Sequence, residues 1–509
     1  MTRVGHLSNK AGHALYVLGL TALVLQLPPV VLDPASTQFV LLLGGVGLWR
    51  YSWGALHFVR SLIYRLMVFP RWRRAADAIA ATRLPPHIYL LVTSFRIDSE
   101  TTRRVYRSVI EEAVRYGAPA TVVASVVEMA DQRLMKALFN SLRPPAHVRL
   151  ICVRVAGTGK RDGLASAFRA ISMHRPPPGA IAAVIDGDSM LTPGLLAKCV
   201  PFFALRPKLG ALTTDEICEV EGRPVFRNWY SMRFAQRHIG MSSVGLSRRV
   251  LTLTGRMSMF RADLLTDPTF IAAVEMDWID HWRLGRFRFL TGDDKSSWFW
   301  MLKRGYEMLY IPDALVVTIE TPPDPSFHRA AVVLMRRWFG NMLRTNARAI
   351  MLGPKPMGLF TWWCVVDQRL SMWTTLIGPV GVVLATFLVT PFALIYYIAW
   401  IGFTRYVLTL SLLSARKSVS AAYPFLLYYN QIVGSVVKTV ILFRLDRQRW
   451  TRQKTTADRN IGRVRARWMA LSSAYMHGLS LVLLIVVVTF LLNILTLPDV
   501  GFWQYRLGI

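Results

Sequence analysis

Apolar residues along this chain follow two different rhythms. Towards the ends they run in long unbroken stretches, at 13–32, 39–59, 372–390, 392–414, 421–443 and 472–495. Such lengths suit α-helices that cross a hydrocarbon core, which takes about 20 apolar residues. The first stretch contains Pro28-Pro29 and is followed at once by the second. The pair therefore predicts a transmembrane hairpin rather than a cleaved leader.

Between residues 87 and 330 the rhythm changes. Short β-rich runs occupy 87–93, 121–127, 148–155 and 182–185. The intervening segments place apolar residues at helical spacing. One carries Val105, Val109, Ile110, Ala113 and Val114 and is stopped by Gly117, a favourable residue after a helix end. A second carries Leu134, Met135, Leu138, Phe139 and Leu142, and a third carries Leu164, Phe168 and Ile171 before Pro176-Pro177-Pro178. Continuous apolar strands alternating with helices predict an α/β domain whose parallel sheet is covered on both faces. Ligands of such sheets bind at the carboxyl ends of the strands, so the chemistry is expected there.

Charge orients these parts. The cluster Arg71-Trp72-Arg73-Arg74 follows the amino-terminal hairpin, and the loop 444–468 holds nine basic residues against two acidic ones. Both are expected to be cytosolic by the positive-inside rule. The Arg416-Lys417 loop reads as cytosolic too, which conflicts with a single crossing by 421–443. That stretch, which contains Asn430, Gln431 and Lys438, is therefore expected to be re-entrant, interfacial or pore-lining. Arg405 is expected to face another helix or a pore rather than lipid. Five or six spans result, with five preferred.

Composition sharpens the picture. The 509 residues are 53% apolar and only 18% charged, an excess that a soluble protein does not need. The formal net charge of +31 reflects positive cytosolic loops in large part, and it also suits an anionic partner such as a diphosphate, an acidic polymer or anionic lipid. No base-reading module accompanies it, so nucleic acid is not expected. The four cysteines have neither metal nor disulfide spacing, and Cys152 and Cys199 are predicted to be buried thiols.

Four constellations carry candidate chemistry. Asp186-Gly187-Asp188 directly follows an apolar strand, and carboxylates two residues apart at that position can share a divalent cation with a diphosphate. An acidic turn is the plainer alternative. Gly157-Thr158-Gly159-Lys160-Arg161 follows the strand at 148–155. It is not a Walker A loop, because Arg154 stands where glycine is required and Arg161 follows the lysine. Two glycines and two cations at a helix start nevertheless suit a phosphate. Thr291-Gly292-Asp293-Asp294-Lys295 pairs carboxylates that could take a proton from an acceptor hydroxyl, or simply cap the helix that follows. Arg336-Arg337-Trp338 offers guanidinium groups for a diphosphate and an indole for a sugar face, or else an interfacial helix.

These elements, in this order between membrane segments, resemble the processive family-2 glycosyltransferases, which include cellulose, chitin, hyaluronan and alginate synthases. The resemblance covers roughly 87–468. It implies an α/β nucleotide-diphospho-sugar transferase (GT-A-like) cytosolic domain inserted between multi-pass α-helical transmembrane segments. It assigns Thr93 and Arg96, in Val92-Thr93-Ser94-Phe95-Arg96, to the nucleotide site. Glu128 or Asp131 stands near the second-strand acid, Asp186-Gly187-Asp188 is similar to the D-x-D motif, and Asp188 is its expected metal ligand with Asp186 beside it. Lys160, Arg161 and Arg337 add positive charge around the donor. Thr254-Gly255-Arg256-Met257-Ser258 resembles the acceptor loop, in which Thr254 and Gly255 would touch the acceptor. Gly292-Asp293-Asp294 is similar to the motif of the catalytic base, so Asp294 is the expected base with Asp293 beside it. Leu334-Met335-Arg336-Arg337-Trp338 matches Q-x-x-R-W except that Leu334 replaces glutamine; Trp338 would hold the acceptor.

Among these synthases the alginate polymerases are the most similar, on Gly157-Thr158-Gly159-Lys160-Arg161-Asp162-Gly163, the G-D-D-K form, and Arg444-Leu445-Asp446-Arg447-Gln448-Arg449-Trp450-Thr451-Arg452-Gln453. The likeness implies GDP-mannuronate as the GDP-sugar donor, Mg2+ or Mn2+ as cofactor, and an anionic polysaccharide, β-1,4-polymannuronate, as product. It also implies a bacterial inner-membrane location, contact with membrane lipid, a separate cyclic-di-GMP-binding membrane subunit (since no such domain follows the last membrane stretch) and periplasmic export partners. The expected layout is a hairpin at 1–70, the cytosolic domain at 71–330, amphipathic interface helices at 331–370 and a membrane and pore region at 371–509. Alternatives of other kinds are a synthase using a UDP-sugar, a non-processive transferase acting on a lipid carrier, and a non-catalytic scaffold.

Overall fold

The computed structural model describes residues 3–29, 44–80, 82, 84–156, 159–448 and 462–495. Gly157 and Thr158 of the glycine loop and Arg449, Trp450, Thr451, Arg452 and Gln453 of the basic loop therefore lie outside the described residues, as does 30–43 of the expected hairpin. The chain divides into two compact units. One comprises 56–368 with 444–460, and the other 1–55, 369–443 and 461–509.

The first unit is built on an eight-stranded sheet. Its strands are β1 (Ile88–Thr93), β2 (Ala120–Val126), β3 (Val148–Arg154), β4 (Ile181–Asp186), β5 (Ser189–Leu191), β6 (Leu209–Val220), β7 (Met257–Arg261) and β10 (Glu307–Glu320). A separate two-stranded hairpin joins β8 (Trp278–His281) to β9 (Gly285–Arg288). The sheet order is β3-β2-β1-β4-β7-β6-β10-β5. The first four strands are parallel, as their continuous apolar runs predict, and β1, β2 and β4 are buried along nearly their whole length. The other half departs from the expected all-parallel sheet: β7 runs antiparallel to both β4 and β6, and β5 antiparallel to β10. β7 lies between β4 and β6 and follows the long helix Pro224–Gly245, and antiparallel to both it is not part of a βαβ unit.

The helices follow their apolar periodicity. Ser99–Tyr116 is capped at its start by Asp98, whose carboxylate accepts the Thr101 amide, and at its end by Gly117 at φ 79°. Val105, Val109, Ile110 and Ala113 are buried, whereas Val114 lies at the exposed edge. Met129–Leu142 and Lys160–Met173 cover the ranges their patterns predict. Cys199 is buried but Cys152 is only partly so, a correction to the expected pair of buried thiols.

Chain order brings β1, β2 and β3 to one side and then returns β4 to the other side of β1. The reversal opens a crevice at the carboxyl ends of β1 and β4, where Thr93 and Asp186 are register partners.

Four helices are long and apolar enough to cross a membrane: Leu359–Leu388, Ala393–Ser414, Tyr423–Leu442 and Arg463–Leu491. The first begins inside the region expected to hold only interface helices. Tyr423–Leu442 is one continuous helix, so of the three alternatives for that stretch, re-entrant, interfacial or pore-lining, the re-entrant one is not found. Among the described residues, Arg3–Leu25 and Gly45–Ile63 do not join this set, because Asn9, Lys10 and His13 dilute one and Arg50, His57 and Arg60 the other. Arg405 is buried as expected, with Tyr51, Tyr397 and Tyr428 around it.

Candidate active site

The crevice is shaped by glycine. Gly187 packs so tightly on the end of β1 that a Cβ would stand 2.6 Å from the Thr93 carbonyl oxygen and 2.8 Å from Ser94 Oγ. Its amide donates to the same Thr93 carbonyl at 2.9 Å. The turn Asp186-Gly187-Asp188 is thus held against β1, and only glycine fits at its centre. Thr93 Oγ1 is buried with no hydrogen-bond partner among the described residues. A buried hydroxyl in that state is costly unless something else satisfies it, and its position in the crevice suits a bound polar ligand. Arg96 sits beyond it at φ 49°, a strained conformation for a residue with a side chain.

Lys160 draws three motifs together. As the first residue of its helix it reaches Asp186 at 2.5 Å and Asp293 at 3.0 Å. The acceptor-type loop closes on the same point: a Cβ on Gly255 would stand 2.9 Å from Asp186 Oδ2 and 3.0 Å from Lys160 Nζ. Asp186 also donates its amide to the Arg256 carbonyl. Thr252 Oγ1 donates to Asp294 Oδ2 at 3.3 Å, and Lys295 Nζ to the Leu251 carbonyl at 2.6 Å. Thr254 turns inward, towards Thr213 and the Met257 carbonyl, and leaves Gly255 as the part of the loop facing the carboxylates.

Electrostatics separates the two adjacent aspartates. Burial opposes ionisation of Asp293, but the charges of Lys160 and Arg161 outweigh it and hold its pKa below the ordinary range. Asp294 is raised, first by burial and then by the charge of Asp293, against the pull of Lys295 and Lys160. A carboxylate raised in this way is the better proton acceptor of the pair. Burial would lower the Lys160 pKa, yet Asp186 and Asp293 raise it, so it stays charged. Lys295 is lowered to about 8, burial outweighing Asp294.

Arg161 does not face the crevice. It is 2% exposed, and its guanidinium donates to the carbonyls of Val274 and Thr291 and to Ser296 Oγ. Its expected contact with a diphosphate is therefore corrected: it fastens the loop that carries Asp293 and Asp294. Glu128 is exposed at the start of Met129–Leu142, and among the described residues no hydrogen bond or ion pair joins it to this cluster. Asp131 beside it is raised by burial and by Glu128.

Asp188 closes the turn, its carbonyl accepting the Ile319 amide. Among the described residues no group of three metal-ligating side chains occurs. A cation at the turn would thus depend on Asp188 and Asp186 plus oxygens from a ligand, and Asp186 already faces the Lys160 ammonium. Such a two-carboxylate set fits a metal that arrives with a diphosphate.

The helix Phe327–Met351 carries the Arg336-Arg337-Trp338 motif. Arg336 is exposed, Arg337 half-buried, and Leu334 buried. Trp338 stacks on Trp229 at 5.6 Å and lies under the Arg233 guanidinium at 4.1 Å. Residues further along the same helix, absent from the sequence reading, hold the aspartate loop: Asn341 accepts from Thr291 Oγ1, and Arg348 makes two bonds to Asp277, which also accepts from Ser296. Gly292, at φ 88°, packs on Asn341 at a distance that admits no Cβ. Glu216 and Glu320, also unforeseen, hold Arg256 from two strands. Both lie in β-runs beyond the last strand that the sequence pattern had marked.

Residues 85–341 match the family model described as glycosyltransferase like family 2. Two relatives named Glycosyltransferase alg8 are similar along almost the whole chain. That of Pseudomonas syringae pv. tomato is 51% identical, and that of Azotobacter vinelandii 49%, each over 91% of this chain and 94% of its own. Among solved structures, the mannosyltransferase PcManGT from Pyrobaculum calidifontis in complex with GDP-Man and Mn2+ is similar over 78% of this chain and 98% of its own, at 16% identity and a TM-score of 0.41.

Proposed function

The chain belongs to the family 2 glycosyltransferases, with a GT-A-like domain followed by four membrane-capable helices, and from that premise we propose that it polymerises mannuronate from GDP-mannuronate into β-1,4-polymannuronate. The product passes through the inner membrane as it grows. The observation that carries this reading is the convergence of Lys160, Asp186, Gly255 and the Asp293-Asp294 pair at the switch point of the sheet. The net charge of +31 suits an anionic product, which a basic surface attracts.

The nucleotide lies across the ends of β1 and β4, with Thr93 and Arg96 on one side. Asp188 and Asp186 would hold Mg2+ or Mn2+, and the bound metal would offset charge on the departing diphosphate. Lys160, still held by Asp293, turns from Asp186 to the phosphate oxygens, and Arg337 adds a second cation. Asp294 accepts the proton of the acceptor 4-hydroxyl, whose oxygen attacks the anomeric carbon opposite the leaving GDP and inverts it. Asp293 stays ionised and fixes Lys160 at the donor side. Gly255 leaves room for the acceptor ring, and Trp338 offers it an apolar face.

The test is sugar incorporation by membranes containing this chain with its co-expressed partners, comparing GDP-mannuronate, UDP-glucose and UDP-N-acetylglucosamine with and without Mg2+. Polymer made only from GDP-mannuronate is the expected result. Polymer from a UDP-sugar would overturn the donor, and a single-sugar product on lipid would overturn processivity.

A further inference from the structure

The segment that follows the helix Tyr423–Leu442 in the chain does not simply lead away from it. Its first residues, 444–448, belong to the same compact unit as the catalytic sheet. Gln448 is 7% exposed, and its side-chain amide is used at both ends. Its Oε1 accepts the Leu290 amide at 2.9 Å and its Nε2 donates to the Arg288 carbonyl at 2.8 Å. This is the pairing that a neighbouring strand would supply, made by one side chain.

The position of these two groups matters. β9 ends at Arg288, Phe289 donates its amide to the Asp277 carbonyl, and Leu290 stands two residues before Gly292-Asp293-Asp294. A second fastening reaches the same place. The fully buried Arg344 donates to the Leu445 carbonyl at 3.3 Å and to Asn341 Oδ1 at 3.0 Å, and that same oxygen accepts from Thr291 Oγ1 at 2.8 Å. Segment 445–448 is thus tied to Leu290 directly and to Thr291 through Arg344 and Asn341.

On the reading that Asp294 is the base, we infer that Gln448 is a positioning residue for it, clamping the backbone that leads into the Asp293-Asp294 pair. Glutamine suits the task because its amide offers one donor and one acceptor. Methionine, of similar length, offers no donor and only a weak thioether acceptor. Glutamate keeps the acceptor for Leu290 but turns an oxygen towards the Arg288 carbonyl. A displacement of about 1 Å at a reacting group can cost about 100-fold in rate, so loss of the clamp should appear in turnover rather than in donor binding.

The experiment uses the full-length protein in its membranes or purified in detergent. Gln448→Met and Gln448→Glu are compared with wild type and with Arg447→Ala, which changes an exposed neighbour. Hydrogen exchange is followed in peptides covering 286–296, alongside kcat, donor KM and GDP binding. Expected for Gln448→Met are exchange at least ~10-fold faster in that segment alone and kcat ~10- to 100-fold lower. Donor KM and GDP binding should stay within ~3-fold. Gln448→Glu should fall at least as far, and Arg447→Ala should match wild type. Unchanged exchange overturns the clamp. Faster exchange with unchanged kcat, or equal losses of turnover and GDP binding, overturns its positioning role. If wild type makes no polymer from GDP-mannuronate, the proposed donor fails; kcat is then measured with the donor it does use, and exchange is read as before.

Discussion

Lys160 Nζ stands 3.0 Å from Asp293 Oδ2, so the cation that opens one helix touches the carboxylate that opens another, 133 residues later in the chain. On the proposed mechanism that contact joins the donor side of the crevice to the acceptor side. It also explains why two adjacent aspartates differ: Asp293 is compensated by Lys160 and Arg161, and Asp294 feels the charge of Asp293.

Replacing Lys160 with methionine should raise donor KM ~10- to 100-fold as a charge-assisted phosphate contact is lost. It also leaves Asp186 and Asp293 without their shared cation, so a lower thermal midpoint should accompany the loss. Arg161→Met should act on folding alone. It leaves the carbonyls of Val274 and Thr291 without a donor and should destabilise the protein by ~3 kcal/mol or more, read as a lower thermal midpoint in detergent.

Asp294→Asn should lower transfer by ~100-fold or more while GDP still binds with near wild-type affinity. Retained polymer synthesis by that variant would remove Asp294 from its role.

The pH dependence follows from the raised Asp294 pKa. A base must be ionised, so turnover should fall as pH drops through that pKa, which lies above the ordinary carboxylate range. Lys160 is among the charges that lower it, so Lys160→Met should move the acid limb of kcat to higher pH. A limb at or below the ordinary carboxylate range would contradict the assignment.

Gly255→Ala places a methyl group 2.9 Å from Asp186 Oδ2 and 3.0 Å from Lys160 Nζ. Lys160 can yield more easily than the turn of Asp186, so the expected outcome is a folded protein with turnover lowered ~10-fold or more. Wild-type rates would mean that the loop has room to withdraw.

Chelation by EDTA should abolish polymer synthesis, and Mg2+ or Mn2+ should restore it. Asp188→Asn should need a higher metal concentration for the same rate, measured as the half-saturating metal at fixed donor.

Some features were written in the local pattern. The buried strands β1, β2 and β4 are continuous apolar runs, Gly117 marks a helix end, and Asp186-Gly187-Asp188 closes a strand whose carboxyl end faces the crevice. The four carboxy-terminal helices long and apolar enough to cross a membrane are equally legible, because a span requires one long apolar run. These depend on neighbours within a few residues, and a sequence displays such neighbours directly.

Tertiary structure alone decided the rest. Arg161 and Lys160 are adjacent, both cationic and both suited to phosphate, yet one faces Asp186 and the other is spent inside the protein. Nothing in a dipeptide distinguishes them, since a helix turns successive side chains by about 100° and the surroundings decide which faces solvent. The same holds for Gln448, whose two partners lie some 160 positions earlier, and for the Glu216–Arg256–Glu320 set drawn from two strands and a loop. Polar contacts of this kind leave no periodicity behind. The sequence determined which segments could be strand, helix or membrane span, and packing determined which charges met.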